Sequence, residues 1–280
     1  MSTGIVVRVS PGHAELVSDM LWAAGTQAIE ERWLASGTVE LRTSLGDDRD
    51  AVRVALGKLP SGASWEFVDI DDSVADEWRR HAEPHRVSAD LTIVPAWLPD
   101  SDPSGDDEPV GGGVVVRIEP GPTFGLGDHP TTSGCLRSIE RHLREGDTVL
   151  DVGCGSGVLG VVALVLGASR AHGTDLMPAA VDVSLGNADL NGVADRWSVS
   201  TEPLETIGRP FDLVVANILL PVLVELAPQL TRLAGRTLVV SGLLAGTESR
   251  VIDALDPLRE VDRVTIAGWT TVTLSRDASS

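Results

Sequence analysis

The sequence has no run of about 18 apolar residues, the length a bilayer-crossing helix needs. Its opening stretch, MSTGIVVRVSPGHAELV, has no basic segment followed by a long apolar core, so no signal peptide is expected. Cysteine is scarce. Cys135 and Cys154 both lie among apolar residues or glycines, which gives neither a disulfide framework nor zinc-ligand spacing. These absences point to a cytoplasmic enzyme or binding protein without a membrane segment or structural metal. Basic residues are also in deficit, with 22 Lys and Arg against 41 Asp and Glu and a formal net charge of −19. Nucleic-acid binding usually rests on a basic face, so direct contact with nucleic acid is not expected. An acidic surface speeds encounter with basic partners, although solubility alone also accounts for it.

What is present suffices for a sizeable core: 42% of the 280 residues are hydrophobic. This length suggests about two domains. Residues 1–70 read as βαββαβ, a small ferredoxin-like α+β unit. IVVRVS is the first strand, and PGHAELVSDMLWAAG follows as a helix with Leu16, Met20 and Leu21 at helical spacing. AIEERW and TVELRTSL form a hairpin, DDRDAVRVALGKLP a helix started by Asp47 or Asp48, and SWEFVDID the last strand. Residues 71–112 read as a connector, with one short helix in DDSVADEWRRHAEPHR, a strand in LTIVPAW, and an acidic loop rich in Pro and Gly. Residues 113–280 alternate strands and helices, the pattern of a mostly parallel sheet covered on both faces. Within it, HPTTSGCLRSIERHL reads as a helix with Pro130 in its first turn and Thr or Ser caps. LPVLVELAPQLTRLAG reads as one helix, and EVDRVTIAGWTTVTL as a hairpin.

The chemistry concentrates in TVLDVGCGSG. Ligands of open α/β sheets bind beyond the carboxyl ends of the strands, and this stretch puts Gly153, Gly155 and Gly157 there. Glycine permits positive φ and close approach of a ligand to the main chain. Asp151 ends the strand with a carboxylate facing that space. A dinucleotide fingerprint, G-x-G-x-x-G/A, would need Gly or Ala where Val158 stands, which weakens an NAD reading. Asp175 ends the next strand, 22 residues after Gly153. A carboxylate there accepts both ribose hydroxyls of an adenosine, or it caps the helix that follows. Asn217 ends the strand FDLVVANI; its amide offers a donor and an acceptor to a ligand, or caps the next helix.

PGPTFGLGDHPTTSGCL, VLDVGCGSGVLGVVALVLGA, GTDLMPAAVDVSLGNADLNGV and FDLVVANIL resemble, in order and spacing, the ribosomal protein L11 methyltransferase family. The resemblance covers roughly residues 70–245 well and is most specific in the FGxGxHPTT stretch. It implies a Rossmann-like seven-stranded methyltransferase domain preceded by a small ferredoxin-like domain that presents the ribosomal protein. It implies S-adenosyl-L-methionine (SAM) as cofactor, held by Thr132, Gly153, Asp175 and Asn217, with Phe124, Gly125 and Gly127 in the loop closing over it; Asp151 at the strand end and Gly155 in the turn are further candidate cofactor-binding residues. The implied reaction is methyl transfer to lysine or N-terminal amines of basic protein L11, with Asn217 the candidate catalytic group near the methyl.

Two departures stand out. Asp128 replaces the small hydroxyl residue the family usually places before the His of HPTT. The β-strand motif NILL also differs from the (N/D)PP(Y/F) of enzymes that methylate amide or base nitrogens, which fits an aliphatic amine acceptor. His129 is a candidate base, but its Gly/Pro loop equally suits a structural role, and no base is assigned. The alternatives are a SAM enzyme acting on another protein lysine or a small metabolite, a non-catalytic adenosine-ligand sensor, and, more weakly, a nicotinamide dehydrogenase.

Overall fold

The computed structural model describes residues 3–23, 26, 29–34, 37–45, 49–69, 83–98, 113–119, 127 and 129–276. The chain divides into two compact units, Met1–Ala82 and Glu83–Ser280.

In the first unit, β1 (Thr3–Val9), α1 (Pro11–Ala23), β2 (Glu30–Trp33), β3 (Val39–Ser44), α2 (Arg49–Leu56) and β4 (Ser64–Asp69) follow one another. The sheet order is β2-β3-β1-β4, with every neighbouring pair antiparallel. Strand residues alternate between the two faces, so Ile5, Val7 and Val9 share one face. They meet Val17 and Leu21 of α1 and Val52 and Leu56 of α2 in a single core. The expected α2 start, Asp47 or Asp48, lies outside the described residues, as does the expected helix in 71–82.

The second unit opens with β5 (His85–Arg86), β6 (Leu91–Pro95) and β7 (Val114–Ile118), which form a three-stranded sheet with β7 at one edge. Thus 83–98, within the stretch read as a connector, belong to the second unit. There follow α3 (Pro130–His142), β8 (Thr148–Val152), α4 (Val158–Val165), β9 (Arg170–Thr174), α5 (Pro178–Leu190), β10 (Trp197–Ser200), β11 (Phe211–Asn217), α6 (Leu220–Glu225), α7 (Ala227–Leu233), β12 (Ala234–Leu244), α8 (Ser249–Ala254), β13 (Arg259–Ile266) and β14 (Trp269–Ser275). The large sheet runs β10-β9-β8-β11-β12-β14-β13. The strands from β10 to β12 in this order are parallel, and β14 runs antiparallel to both its neighbours.

β11 is apolar along nearly its whole length because both its faces are covered. Leu213 and Val215 pack with α3 and α4, while Val214 and Ala216 pack with α6, α7 and α8. The stretch read as one helix after β11 is two. It breaks at Leu226 (φ −84°, ψ 0°), and Pro228 stands in the first turn of α7. Proline has no N–H to bond the carbonyl four residues back and its ring crowds that carbonyl, so the first helix stops before it. The hairpin between β13 and β14 turns on Ala267 (φ 48°) and Gly268 (φ 83°). Positive φ at both positions gives the primed turn that matches strand twist. No helix among the described residues is long and apolar enough to cross a membrane.

Candidate functional site

From β8 the sheet order runs one way to β9 and β10, and the chain then returns to β11 on the other side of β8. The carboxyl ends of β8 and β11 therefore border the crevice where open α/β sheets bind ligands.

The turn after β8 is forced by its glycines. Gly153, Gly155 and Gly157 have φ of 70°, 52° and 78°, a region L side chains rarely enter. A Cβ on Gly153 would stand 2.5 Å from Cγ2 of Ile218, and one on Gly157 2.7 Å from Cβ of Ser184. The backbone of the turn is pinned at several points. The N–H groups of Gly153 and Cys154 donate to the Thr174 carbonyl at 2.8 and 3.0 Å. The Gly155 N–H donates to Oδ2 of Asp175 at 2.9 Å. The Ser156 carbonyl accepts from Nδ2 of Asn187 at 2.8 Å.

Asp175 follows β9 and is half-buried, with its second oxygen accepting the Met177 N–H at 2.9 Å. It thus joins the glycine turn to the start of α5, whose N-cap, Met177, has no side-chain cap bond of its own. A carboxylate has about four lone-pair sites, so each oxygen keeps room for a further donor such as a hydroxyl.

Asp151 is fully buried within β8. Its Oδ2 accepts the Gly160 N–H of α4 at 3.0 Å, and its Oδ1 has no hydrogen-bond partner. Burial pushes this carboxyl up to about 7. The nearby charge of Asp175 adds to the rise and the Gly160 N–H opposes it.

Thr132, in the first turn of α3, is buried; Asn217, at the end of β11, is half-buried. Nδ2 of Asn217 donates to Oγ1 of Thr132 at 3.4 Å. Asn217 does not cap the next helix, whose N-cap is Leu219 with no side-chain bond. The cap of α3 is likewise neither Thr nor Ser. It is His129, whose Nδ1 accepts the Thr131 N–H at 3.3 Å and lies 2.7 Å from Oγ1 of the same residue. An imidazole nitrogen replaces the usual hydroxyl, and the ring is held edge-on to Trp269 with centroids 5.5 Å apart.

The structure therefore brings together Asp151, Gly153, Gly155 and Asp175 on one side and Thr132 and Asn217 on the other. Phe124, Gly125 and Asp128 lie outside the described residues. Gly127 is buried with φ 111°, where a Cβ would meet Cγ2 of Ile93 at 2.9 Å.

Two supporting residues escaped the sequence reading. Trp197 on β10 packs beneath the turn and explains a glycine outside it, since a Cβ on Gly173 would stand 2.6 Å from the indole. Asn187 is 1% exposed on α5. No local signal marks it, since the same helix also carries Asp182, Ser184 and Asp189. An open depression of about 440 Å³ lined by His172, Ser198 and Arg209 lies among β9, β10 and the segment entering β11, away from these residues. Among the described residues, no three His, Cys, Asp or Glu side chains are grouped to hold a metal ion.

Comparison with known proteins places the chain in a family. The family model described as ribosomal protein L11 methyltransferase (PrmA) matches residues 53–277. A ribosomal protein L11 methyltransferase of Chromohalobacter salexigens is 37% identical over 272 residues, covering 88% of this chain and 88% of its own. Another, of Geobacter sulfurreducens, is 38% identical over 222 residues, covering 79% of this chain and 70% of its own. The crystal structure of a ribosomal protein L11 methylase from Lactobacillus delbrueckii subsp. bulgaricus is similar at a TM-score of 0.60 and 30% identity, over 70% of this chain and 98% of that one. With a family model matched across most of its length and relatives of this identity, the chain belongs to the ribosomal protein L11 methyltransferase family.

Proposed function

We propose that the protein transfers methyl groups from SAM to lysine and/or N-terminal amines of ribosomal protein L11. The observation that carries this reading is the bond between Asn217 and Thr132 at the switch point, facing a glycine turn whose neighbouring strand ends in Asp175. The residues fit SAM. Glycine at three of the turn's five positions, each at positive φ, lets an adenosine-bearing ligand approach. Asp175 retains acceptor capacity for ribose hydroxyls, and the cofactor has no pyrophosphate to demand the dinucleotide spacing that Val158 breaks. Thr132, Gly153, Asp175 and Asn217 would hold the cofactor, with Asp151, Gly155, Phe124 and Gly125 as further candidate cofactor-binding residues.

SAM supplies a methyl group already activated on a sulfonium, so the protein's part is alignment and exclusion of water, worth several kcal/mol. Asn217 orients the acceptor near the methyl. The incoming lysine has a reference pKa of about 10.4 and must arrive deprotonated, which partial burial favours. The Nδ1 of His129 is committed to the start of α3, and no side chain is assigned as base.

The first unit, with its βαββαβ order and β2-β3-β1-β4 sheet, is read as a ferredoxin-like domain that presents L11. The net charge of −19 suits a basic protein substrate better than RNA, in an enzyme of the cytoplasm. Incubation of purified L11 with the enzyme and labelled SAM, followed by mass spectrometry, tests the proposal. Whole-methyl mass increments on L11 amines are expected; label found only on a small molecule would overturn it.

A further inference from the structure

β7 is an edge strand of the small sheet, and an edge leaves unpaired N–H and C=O groups. Two side chains of the α5 segment occupy that edge. Asn191 accepts the Arg117 N–H on Oδ1 at 2.9 Å and donates from Nδ2 to the Arg117 carbonyl at 2.7 Å. Asn187 does the same for Glu119, at 2.8 Å in each direction. The spacing explains why both fit. Four helical residues rise about 6 Å, and two strand residues advance about 6.6 Å. The two amides thus read alternate residues, Arg117 within β7 and Glu119 just after it, as a neighbouring strand would.

The pair differs in one respect. The third bond of Asn191 stays inside the helix, to the Asn187 carbonyl at 2.8 Å. That of Asn187 goes to the carbonyl of Ser156 in the glycine turn, also at 2.8 Å. Ser156 is followed by Gly157, whose backbone freedom would let the 156–157 peptide rotate if that carbonyl were released. Gly157 is also the N-cap of α4, with its N–H donating to the Cys154 carbonyl at 2.7 Å.

We propose that Asn187 is a positioning residue for methyl transfer: its single amide clamps the Ser156 carbonyl of the glycine turn to the backbone of Glu119, directly after β7, and so holds the turn in its cofactor-binding shape. The role rests on the reading that this turn holds SAM. Asn187 touches neither cofactor nor acceptor; it acts through the Ser156–Gly157 peptide.

Asn191 provides the internal comparison, because it makes the same number of bonds and an equivalent grip on β7. Asn187→Ala and Asn191→Ala should lower the melting temperature by similar amounts. Only Asn187→Ala should weaken SAM, with Kd and the KM for SAM rising roughly tenfold, the scale of one lost buried hydrogen bond. Its kcat at saturating SAM should stay within about twofold of wild type. Asn187→Asp keeps the acceptor for the Glu119 N–H but loses both amide donors, and should weaken SAM at least as much. In the wild-type protein, SAM saturation should slow exchange of the Asn187 side-chain amide protons. Calorimetry of wild type with SAM comes first. No binding there would sink the cofactor reading itself. Wild-type binding with equal affinity in Asn187→Ala, equal loss in Asn191→Ala, or amide exchange unchanged by SAM would each overturn the role given to Asn187.

Discussion

Asn217 at the end of β11 and Thr132 in the first turn of α3, 85 positions apart in the chain, meet through an N–H···O bond of 3.4 Å. The bond is long enough for the amide to turn toward a ligand at little cost, since hydrogen bonds weaken at this separation. Asn217→Ala should therefore lower kcat on L11 by about a hundredfold, on the scale of a lost oriented polar group near a transition state, with the melting temperature nearly unchanged. A loss of stability matching the loss of rate would instead make Asn217 a structural residue.

Asp175 joins the glycine turn to α5 and is the proposed ribose acceptor. Removing its charge in Asp175→Asn keeps the size but turns one acceptor into a donor facing backbone N–H groups. SAM affinity is expected to fall by a factor of about ten to a hundred, the range of a charged hydrogen bond. Equilibrium titration with SAM checks this, and unchanged affinity would remove Asp175 from the site.

Burial raises the Asp151 carboxyl to about 7 from its ordinary 3.8. A group that holds its proton more tightly folded than unfolded favours folding while protonated. Its contribution is full below about pH 4, is lost as pH climbs toward 7, and is constant above, an effect of order 4 kcal/mol at most. Thermal unfolding of Asp151→Asn should lack that decline between pH 4 and 7. A bound sulfonium should favour the ionised carboxyl, so SAM binding near pH 7 should release protons. Calorimetry in buffers of different ionisation enthalpy reads this directly; heats that do not vary with buffer would contradict it.

The acidic balance of the chain predicts salt-sensitive encounter with a basic substrate. At the Debye length of about 8 Å in physiological salt, exposed charges are already screened, so kcat/KM for L11 should fall several-fold between low and high ionic strength. The KM for SAM should change far less. Equal responses of the two parameters would leave the charge with no role beyond solubility.

Much of the second unit was legible because its signals are local. β11 is a continuous apolar strand ended by a polar residue, and the turn at 153–157 needs positive φ three times, which leaves glycine in the sequence. Asn217 was readable as a polar residue closing an apolar strand, and Asp175 as a carboxylate following the next strand at a fixed distance from the glycine turn. The break between α6 and α7 was written in Pro228, but apolar spacing continues across it and masks the stop. His129 was harder to read as a cap, since histidine is not among the usual cap residues. Asn187 could not be read from its surroundings. Its partners, Glu119 and Ser156, lie 68 and 31 positions away, and only the folded chain sets a helical turn beside a strand edge.

The placing of β14 also constrains how such a molecule is made. β14, the last strand among the described residues, lies in the interior of the large sheet, between β12 and β13, and α3 lies against both β12 and β14. Synthesis delivers the N-terminal segments first. A nascent chain that has released everything up to residue 268 would still present β12 with a bare flank and β13 with nowhere to attach. The helix carrying Thr132 would rest on half its floor. The large sheet is thus complete only once β14 is made, and the second unit is expected to settle as one cooperative event after that strand leaves the tunnel.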